Sequence, residues 1–500
     1  MNYNIENGAL ESIISLPICK RIINCDVSEE VNIPEGLPDA RRALALKENI
    51  LSPTKFIGAK ALDISGAVDY SLIYLGTDGC IYSAPFSAEY SFSVPFESTD
   101  AIDASESVSV IYSFSAENDS IRMSTPRRFQ VHSGIRASVI CFGRGALNED
   151  ISGADGDSDI QRLRLVGDNV FFDCESSDIV TLTDEYLLAE GDRIIYSDAD
   201  VFISDVRADG EMVRASGEAV IKLVLENGGK IETVVRKLPF DAETDLEELD
   251  ASDTPLLCRA FGSVNELDVS VDDGRARIEV GIALEICLAQ NKSVEYTRDI
   301  YSTRQTCNAE YKKYALPCAL LNKNVSITQS ERTSASDADI PMGAEILDSF
   351  GRALCEEAAL ENRRYVLRGK VKYKIICRCD KDVICKEVSL PFKYEAELGD
   401  LDAAGVCADV RVMGARVRCD GENLLIESEL AISASVYGLC ELDMLAKASF
   451  GEPIEQNKNQ IVVCFKSSDE SAFELAKRYH VPYEQLSDKS QSESFVIIER

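Results

Sequence analysis

Three segments of the chain share an alternating pattern of apolar and polar residues centred on a glycine. Counted from Gly66, Gly217 and Gly369, positions −4, −2, +2, +4 and +6 are apolar in all three segments. A period of two residues is typical of a β-strand with one buried face, so we expect Leu223 and Ile375, at +6, to point inward. The alternate positions are expected to face solvent, and at +5 they are Ser71, Lys222 and Lys374.

The spacing of these glycines predicts an internal repeat of about one domain length. They lie 151 and 152 residues apart, and a constant step of this kind is typical of tandem modules. Each strand is followed by a turn signal and then by an apolar-Pro-Phe triplet, at residues 94–96, 238–240 and 390–392. The glycine-to-proline distance is 29 residues in the first repeat and 22 in the others. We interpret the difference as a longer hairpin in the first repeat, and each glycine as the site of a bulge or a close approach.

Other segments are assigned by comparing the repeats. Residues 344–360 could form an amphipathic helix when considered alone, but residues 195–206 at the matching position have strand chemistry, so strands are expected in both. Residues 38–48 are predicted to form a short helix. Residues 143–159 are rich in Gly, Ser and Asp, and residues 326–338 are polar with four serines, which predicts solvated linkers in both places.

The last part of the chain has a different pattern. Short apolar runs at 461–465 and 495–498 predict strands, and helical periodicity is found at 471–479 with a further turn at 482–486. The tail is therefore expected to be a small β-α-α-β unit.

Composition places the chain among ordinary globular proteins. Its 500 residues suggest about three domains, and 45% hydrophobic and 28% charged residues are enough to build several cores. The 86 acidic residues outnumber the 52 basic ones and leave a formal charge of −34. Such a chain repels phosphate backbones and anionic headgroups, so neither nucleic acid nor an anionic membrane is an expected partner.

Sequence signals predict an intracellular protein. The first residues lack the basic and apolar segments of a secretory signal, and no apolar run is long enough to span a membrane. The 17 cysteines have no framework spacing, so we expect reduced thiols rather than disulfides.

Little in the chain points to catalysis. His132 and His480 are the only histidines, no nucleotide-binding or nucleophile motif is present, and no pair of carboxylates stands out as acid and base. Cys377, Cys379 and Cys385 form the densest thiol cluster, and a hairpin could bring them to one face. A fourth ligand for a zinc site is missing. We therefore expect no enzyme activity, no cofactor and no metal.

The tail resembles the first helix of a LysM domain. Glu470, Ser471, Phe473, Leu475 and Tyr479 take the places of the Asp, Thr, Trp, Ile and Tyr of that family's pattern. The chain departs from the pattern at Asp469, where the family has glycine, and lacks the Asn that follows the second helix. Both positions belong to the glycan groove of typical LysM domains.

The three repeats resemble the SipL/SPOCS domain, formerly a domain of unknown function, of endospore-forming Firmicutes. The strand–turn–strand ending in apolar-Pro-Phe carries this resemblance, and an array of such modules followed by a LysM domain is similar to spore-coat morphogenetic proteins. The resemblance implies a mainly β fold with three tandem β-sandwich-like modules and a β-α-α-β LysM-like domain. The expected boundaries are 1–145, 160–322, 323–453 and 458–500.

The resemblance also implies a function. We expect a non-enzymatic scaffold in endospore coat assembly, located in the mother-cell cytoplasm at the forespore surface. Its tail would dock a coat-basement ATPase and other coat proteins through Phe473, Tyr479 and Tyr483. Tyr483, just after Pro482, is the best placed of the three, since the core of the tail is the favoured place for Phe473 and an alternative place for Tyr479. The alternative is a protein that binds peptidoglycan, a cell-wall glycan; the absence of Trp and the altered groove place it second.

Overall fold

Antiparallel β-sheets make up most of the protein. The computed structural model describes residues 11–97, 108–153, 159–209, 212–245, 256–380, 382–455, 461–465, 471–487 and 495–499. Three successive groups of strands, here called the first, second and third strand sets, are followed by a small tail that contains the described helices.

The first strand set comprises seven strands in two antiparallel sheets. They are β1 (Glu11–Asn32), β2 (Ala40–Ile50), β3 (Thr54–Ile57), β4 (Ala61–Gly76), β5 (Ile81–Pro95), β6 (Val108–Thr125) and β7 (Arg128–Asn148). One sheet has the order β1-β7-β6. In the other, β4 lies between β5 on one side and β2 and β3 on the other.

The second and third strand sets repeat this arrangement with six strands each. The second contains β9 (Ile160–Leu187), β10 (Arg193–Asp209), β11 (Met212–Asn227), β12 (Lys230–Asp245), β13 (Leu256–Asp272) and β14 (Arg275–Ser302). The third contains β15 (Gln305–Ser334), β16 (Glu345–Glu361), β17 (Arg364–Cys379), β18 (Asp382–Glu397), β19 (Ala403–Asp420) and β20 (Asn423–Pro453). Their sheets have the orders β10-β11-β12 and β13-β14-β9, then β16-β17-β18 and β15-β20-β19. The short strand β8 (Asp150–Ser152) pairs in parallel with β20.

Each strand set encloses its own apolar core between its two sheets. Leu223 and Ile375 are fully buried in these cores, as their alternating pattern predicts. The glycines Gly66, Gly217 and Gly369 all lie on the central strand of a sheet, on β4, β11 and β17. In the second and third sets a β-bulge in the neighbouring strand lies beside the glycine.

Residues 38–48 do not form the predicted helix. Ala40–Ile50 is the strand β2, which pairs along its length with β4. Leu46 packs into the core of the first set, whereas its neighbour Ala45 packs into a second apolar cluster on the other side of the sheet. A strand buries successive residues on opposite faces, and this tertiary demand overrides the helix propensity of the segment.

The predicted linkers are also wrong over most of their described residues, although residues 335–338 do form a turn. Residues 143–148 continue β7, and residues 326–334 are the last part of β15, paired with β20. The polar composition reflects strand ends with little burial. The second strand set ends with β14 at Ser302, and the third begins with β15 at Gln305. The boundary expected at 322/323 therefore falls inside β15.

The hairpin explanation for the first repeat accounts for only part of the longer spacing. Tyr90 lies opposite Gly66, whereas Phe240 and Phe392 of the apolar-Pro-Phe triplets lie opposite Gly217 and Gly369. The turn between β4 and β5 is only two residues longer than its counterparts. The triplet at residues 94–96 is therefore displaced along β5 and does not match the other two.

The tail has the element order expected from its sequence. It consists of β21 (Ile461–Phe465), α1 (Ala472–Tyr479), α2 (Glu484–Ser487) and β22 (Phe495–Glu499), with β21 and β22 antiparallel. Residues 344–360 are likewise the expected strand, since β16 covers Glu345–Glu361.

Candidate functional site

Helix α1 of the tail begins with a complete capping box. The Ser471 hydroxyl accepts a hydrogen bond from the Glu474 backbone N–H at 3.2 Å, and the Glu474 carboxylate accepts one from the Ser471 N–H at 2.8 Å. The two reciprocal bonds satisfy N–H groups that a helix start leaves without partners. The cap therefore fixes the residue at which α1 begins.

The buried side of the tail packs on the second strand set. Phe473 is 3% exposed and its ring meets that of Tyr301, on β14, edge to face at 5.1 Å. The Tyr301 hydroxyl donates to the Val481 carbonyl at 2.8 Å, and burial raises its pKa. Lys477 pairs with Asp299 at 2.6 Å. Aromatic, hydrogen-bonded and ionic contacts therefore hold α1 against the end of β14.

The three predicted partner-binding residues occupy different positions in this contact. Phe473 is buried in the contact between the tail and the second strand set. Tyr483 lies at the edge, where its backbone N–H donates to Gln161 at 3.1 Å and its ring lies 5.9 Å from that of Phe473. Tyr479 is half-buried against the same apolar cluster. Of the three, Tyr479 and Tyr483 keep a face toward solvent.

The cysteine cluster does not converge on one point. Cys385 lies opposite Ile376 in the hairpin of β17 and β18, so it faces the other side of the sheet from Cys377. Burial raises the pKa of Cys377 to about 12 and that of Cys385 to about 11. Among the described residues, no three His, Cys, Asp or Glu side chains are placed to hold a metal ion.

Lys222 and Lys374 do not face solvent as predicted. Their side chains are 14% and 13% exposed and lie between strand sets. Lys222 pairs with Asp348 of the third set at 2.6 Å and donates to the Ser349 carbonyl at 2.9 Å. The alternating pattern marks two faces of a strand, but the outer face is covered by the next strand set.

A lysine–carboxylate pair of the same kind joins each strand set to the next. Lys374 of the third set pairs with Asp119 of the first and donates to the Leu46 carbonyl at 3.1 Å. In the first set Ser71 stands at the corresponding position, and Lys47 directly opposite it pairs with Asp198 of the second. The contacts run from first to second, second to third and third to first, so the three sets form a closed ring.

An apolar cluster lies beside this ring of ion pairs. Ile73, Val224 and Ile376 each stand seven residues after the repeat glycine and pack together. The central strand of every set thus contributes one residue to this cluster, at the same distance from its repeat glycine.

A cavity of about 140 Å³ opens where the three sets meet. Three phenyl rings line it, one from each set: Phe114, Phe261 and Phe350. Charged groups line it as well, and burial shifts the pKa of two of them. Burial lowers the pKa of Lys47 to about 8 and that of Arg352 to about 10. Sequence reasoning missed this site, because its residues come from eight strands with no common motif.

No protein-family model, curated protein or solved structure has significant similarity to the chain. Neither helix in the described part of the chain has the length and apolar character needed to cross a membrane.

Proposed function

We propose that the protein is a non-enzymatic scaffold of the endospore coat, built from three tandem β-sandwich-like modules and a LysM-like tail. The support comes from the sequence resemblance to SipL/SPOCS and LysM domains and from the way the tail is mounted. In this proposal the protein acts in the mother-cell cytoplasm at the forespore surface. It links coat proteins there without chemical turnover.

The observation that carries the proposal is the fixed attachment of the tail. Its apolar side is held by Tyr301 and Asp299 of β14, whereas Arg478, Glu484 and Gln485 on its other side are exposed. A small unit held rigidly on a large β assembly presents a preorganised surface, which lowers the entropic cost of binding. We propose that this outer side, with Tyr479 and Tyr483 at its margin, contacts the coat-basement ATPase.

The closed ring of strand sets suits the same role. Ring closure holds three sandwiches in one body, so their outward edges keep constant separations. Several weak contacts with coat proteins then add through a high effective concentration. The charge of −34 keeps the protein soluble until it meets partners that are less acidic.

Capture of the purified coat-basement ATPase tests the proposal. We expect the full chain to retain the ATPase and a shortened chain ending at Glu455 to lose it. Arg478→Glu, on the exposed side of α1, should weaken capture at least tenfold. Arg416→Glu, an exposed residue on β19, is the matched control and should bind as the unchanged protein does.

Two outcomes would contradict this function. Capture that is unaffected by removal of the tail would rule out docking through it. Tail-dependent sedimentation with purified peptidoglycan, without retention of the ATPase, would favour the glycan-binding alternative.

A further inference from the structure

The cavity between the strand sets has the features of a ligand site rather than of a packing defect. Its volume of about 140 Å³ is close to that of an engineered protein cavity that binds benzene. A packing defect between sandwiches would be apolar, whereas this cavity combines three phenyl rings with charged side chains from all three sets. Glu387 on β18 lines it and is exposed, so the cavity reaches solvent there.

The cations that line the cavity are already engaged by the protein. Lys47 pairs with Asp198, Arg352 with Glu48, and Lys374 with Asp119. The remaining two also have partners: Lys372 donates to Asn118 at 3.0 Å, and Arg411 pairs with Asp409 at 2.7 Å. An incoming anion would have to compete with these bonds.

One acceptor in the lining, by contrast, has no hydrogen-bond partner among the described residues. The Glu48 side chain is 3% exposed, and within the described part of the chain its Oε1 atom has no hydrogen-bond partner. Leaving a buried carboxylate oxygen without a donor is costly. Asp200 lines the same cavity. Five cationic side chains and four carboxylates line the cavity, the carboxylates being Glu48, Asp119, Asp200 and Glu387. Two further carboxylates, Asp198 and Asp409, lie outside the lining and pair with Lys47 and Arg411.

We propose that this cavity binds a small organic ammonium ion, of the size of a short alkyl amine or diamine. The ammonium group supplies the donor that Glu48 Oε1 lacks and pairs with the Asp200 carboxylate, and the alkyl chain packs on the phenyl rings. Phe350 already has the ammonium groups of Lys47 and Lys222 over its ring, at 5.8 and 6.0 Å, so its environment suits a cation. An inorganic divalent ion fits less well, because it needs more converging oxygens than this part of the structure provides.

Calorimetric titration and thermal unfolding of the full chain test the site, with 1,4-diaminobutane as the probe. We expect saturable binding of one molecule per chain and a rise in Tm that grows with ligand concentration. Sodium butyrate and sodium chloride at matched ionic strength are the controls and should leave the Tm unchanged. They separate a site for ammonium from an effect of salt on an acidic protein.

Variants place the ligand in the cavity. Asp200→Asn should weaken binding about tenfold, since it removes a charged acceptor, and Glu48→Gln should do the same. Asp200→Asn is the primary variant because Glu48 also pairs with Arg352. Asp402→Asn, an exposed carboxylate outside the cavity, should bind as the unchanged protein does.

The proposal is wrong if no amine binds in a saturable manner, or if butyrate or inorganic phosphate raises the Tm instead. It is equally wrong if both Asp200→Asn and Glu48→Gln bind 1,4-diaminobutane with unchanged affinity.

Discussion

Each repeat glycine has an aromatic ring where a side chain would otherwise stand. A Cβ atom at Gly66 would lie 2.7 Å from the Tyr90 hydroxyl oxygen, and one at Gly369 would lie 2.7 Å from Cε1 of Phe392. A Cβ at Gly369 would also meet the Leu354 carbonyl oxygen. A ring from the neighbouring strand covers the glycine and so restores the packing that the missing side chain removes.

The Gly369→Ala substitution should therefore destabilise the third strand set. The added methyl group meets backbone as well as a ring, and overpacking of this kind costs about 2–3 kcal/mol. Gly414→Ala, on β19, is the matched control because its Cβ would have no neighbour within 4 Å. The urea midpoint of each variant measures the effect, and equal midpoints would show that the close approach to Phe392 is not real.

At the scale of the element, helix α1 of the tail depends on both local and long-range interactions. Ser471 and Glu474 start α1 by a signal that is local in sequence. The apolar side of α1, however, is completed by Tyr301, which is 172 residues away from Phe473 along the chain. Of the residues that the sequence suggested for binding an external partner, Phe473 instead packs against Tyr301 of the same chain.

Tyr301→Phe should loosen the tail while leaving the strand sets intact. The variant keeps the ring contact with Phe473 but leaves the Val481 carbonyl without its donor, a loss of about 1–3 kcal/mol. Hydrogen exchange in α1 should become faster, with no change in β20. Tyr90→Phe is the control, because its buried hydroxyl has no hydrogen bond within the described residues. Unchanged exchange in α1 would show that Tyr301 does not hold the tail.

For the whole molecule, the ring of ion pairs decides how the three strand sets depend on one another. Lys47, Lys222 and Lys374 each reach into the next set, and their carboxylate partners are 5–12% exposed. A buried ion pair of this kind adds little stability compared with an apolar contact, but removing one partner leaves a buried charge without a counter-ion. The ring therefore acts mainly to select this arrangement of sets over others.

Lys374→Met should consequently destabilise the whole protein. Among the described residues Asp119 would then have Arg352 as its ion-pair partner, at 3.5 Å, and the expected cost is about 3 kcal/mol. Lys370→Met on the same strand removes a pair with Glu356 whose lysine is 52% exposed, and should cost no more than about 1 kcal/mol. Thermal and urea unfolding compare the two. Similar losses for both variants would mean that Lys374 is solvated rather than buried between sets.

The amino-acid sequence by itself determined the central strand of each strand set, the inward face of that strand and the order of elements in the tail. These follow from periodicity, turn residues and helix caps, which act over a few neighbouring residues. Only the tertiary structure decided that residues 40–50 form a strand, that Lys222 and Lys374 are buried, and that Phe473 packs on Tyr301. Periodicity separates the two faces of a strand, but it cannot say whether solvent or another sheet covers the second face. That depends on residues more than a hundred positions away.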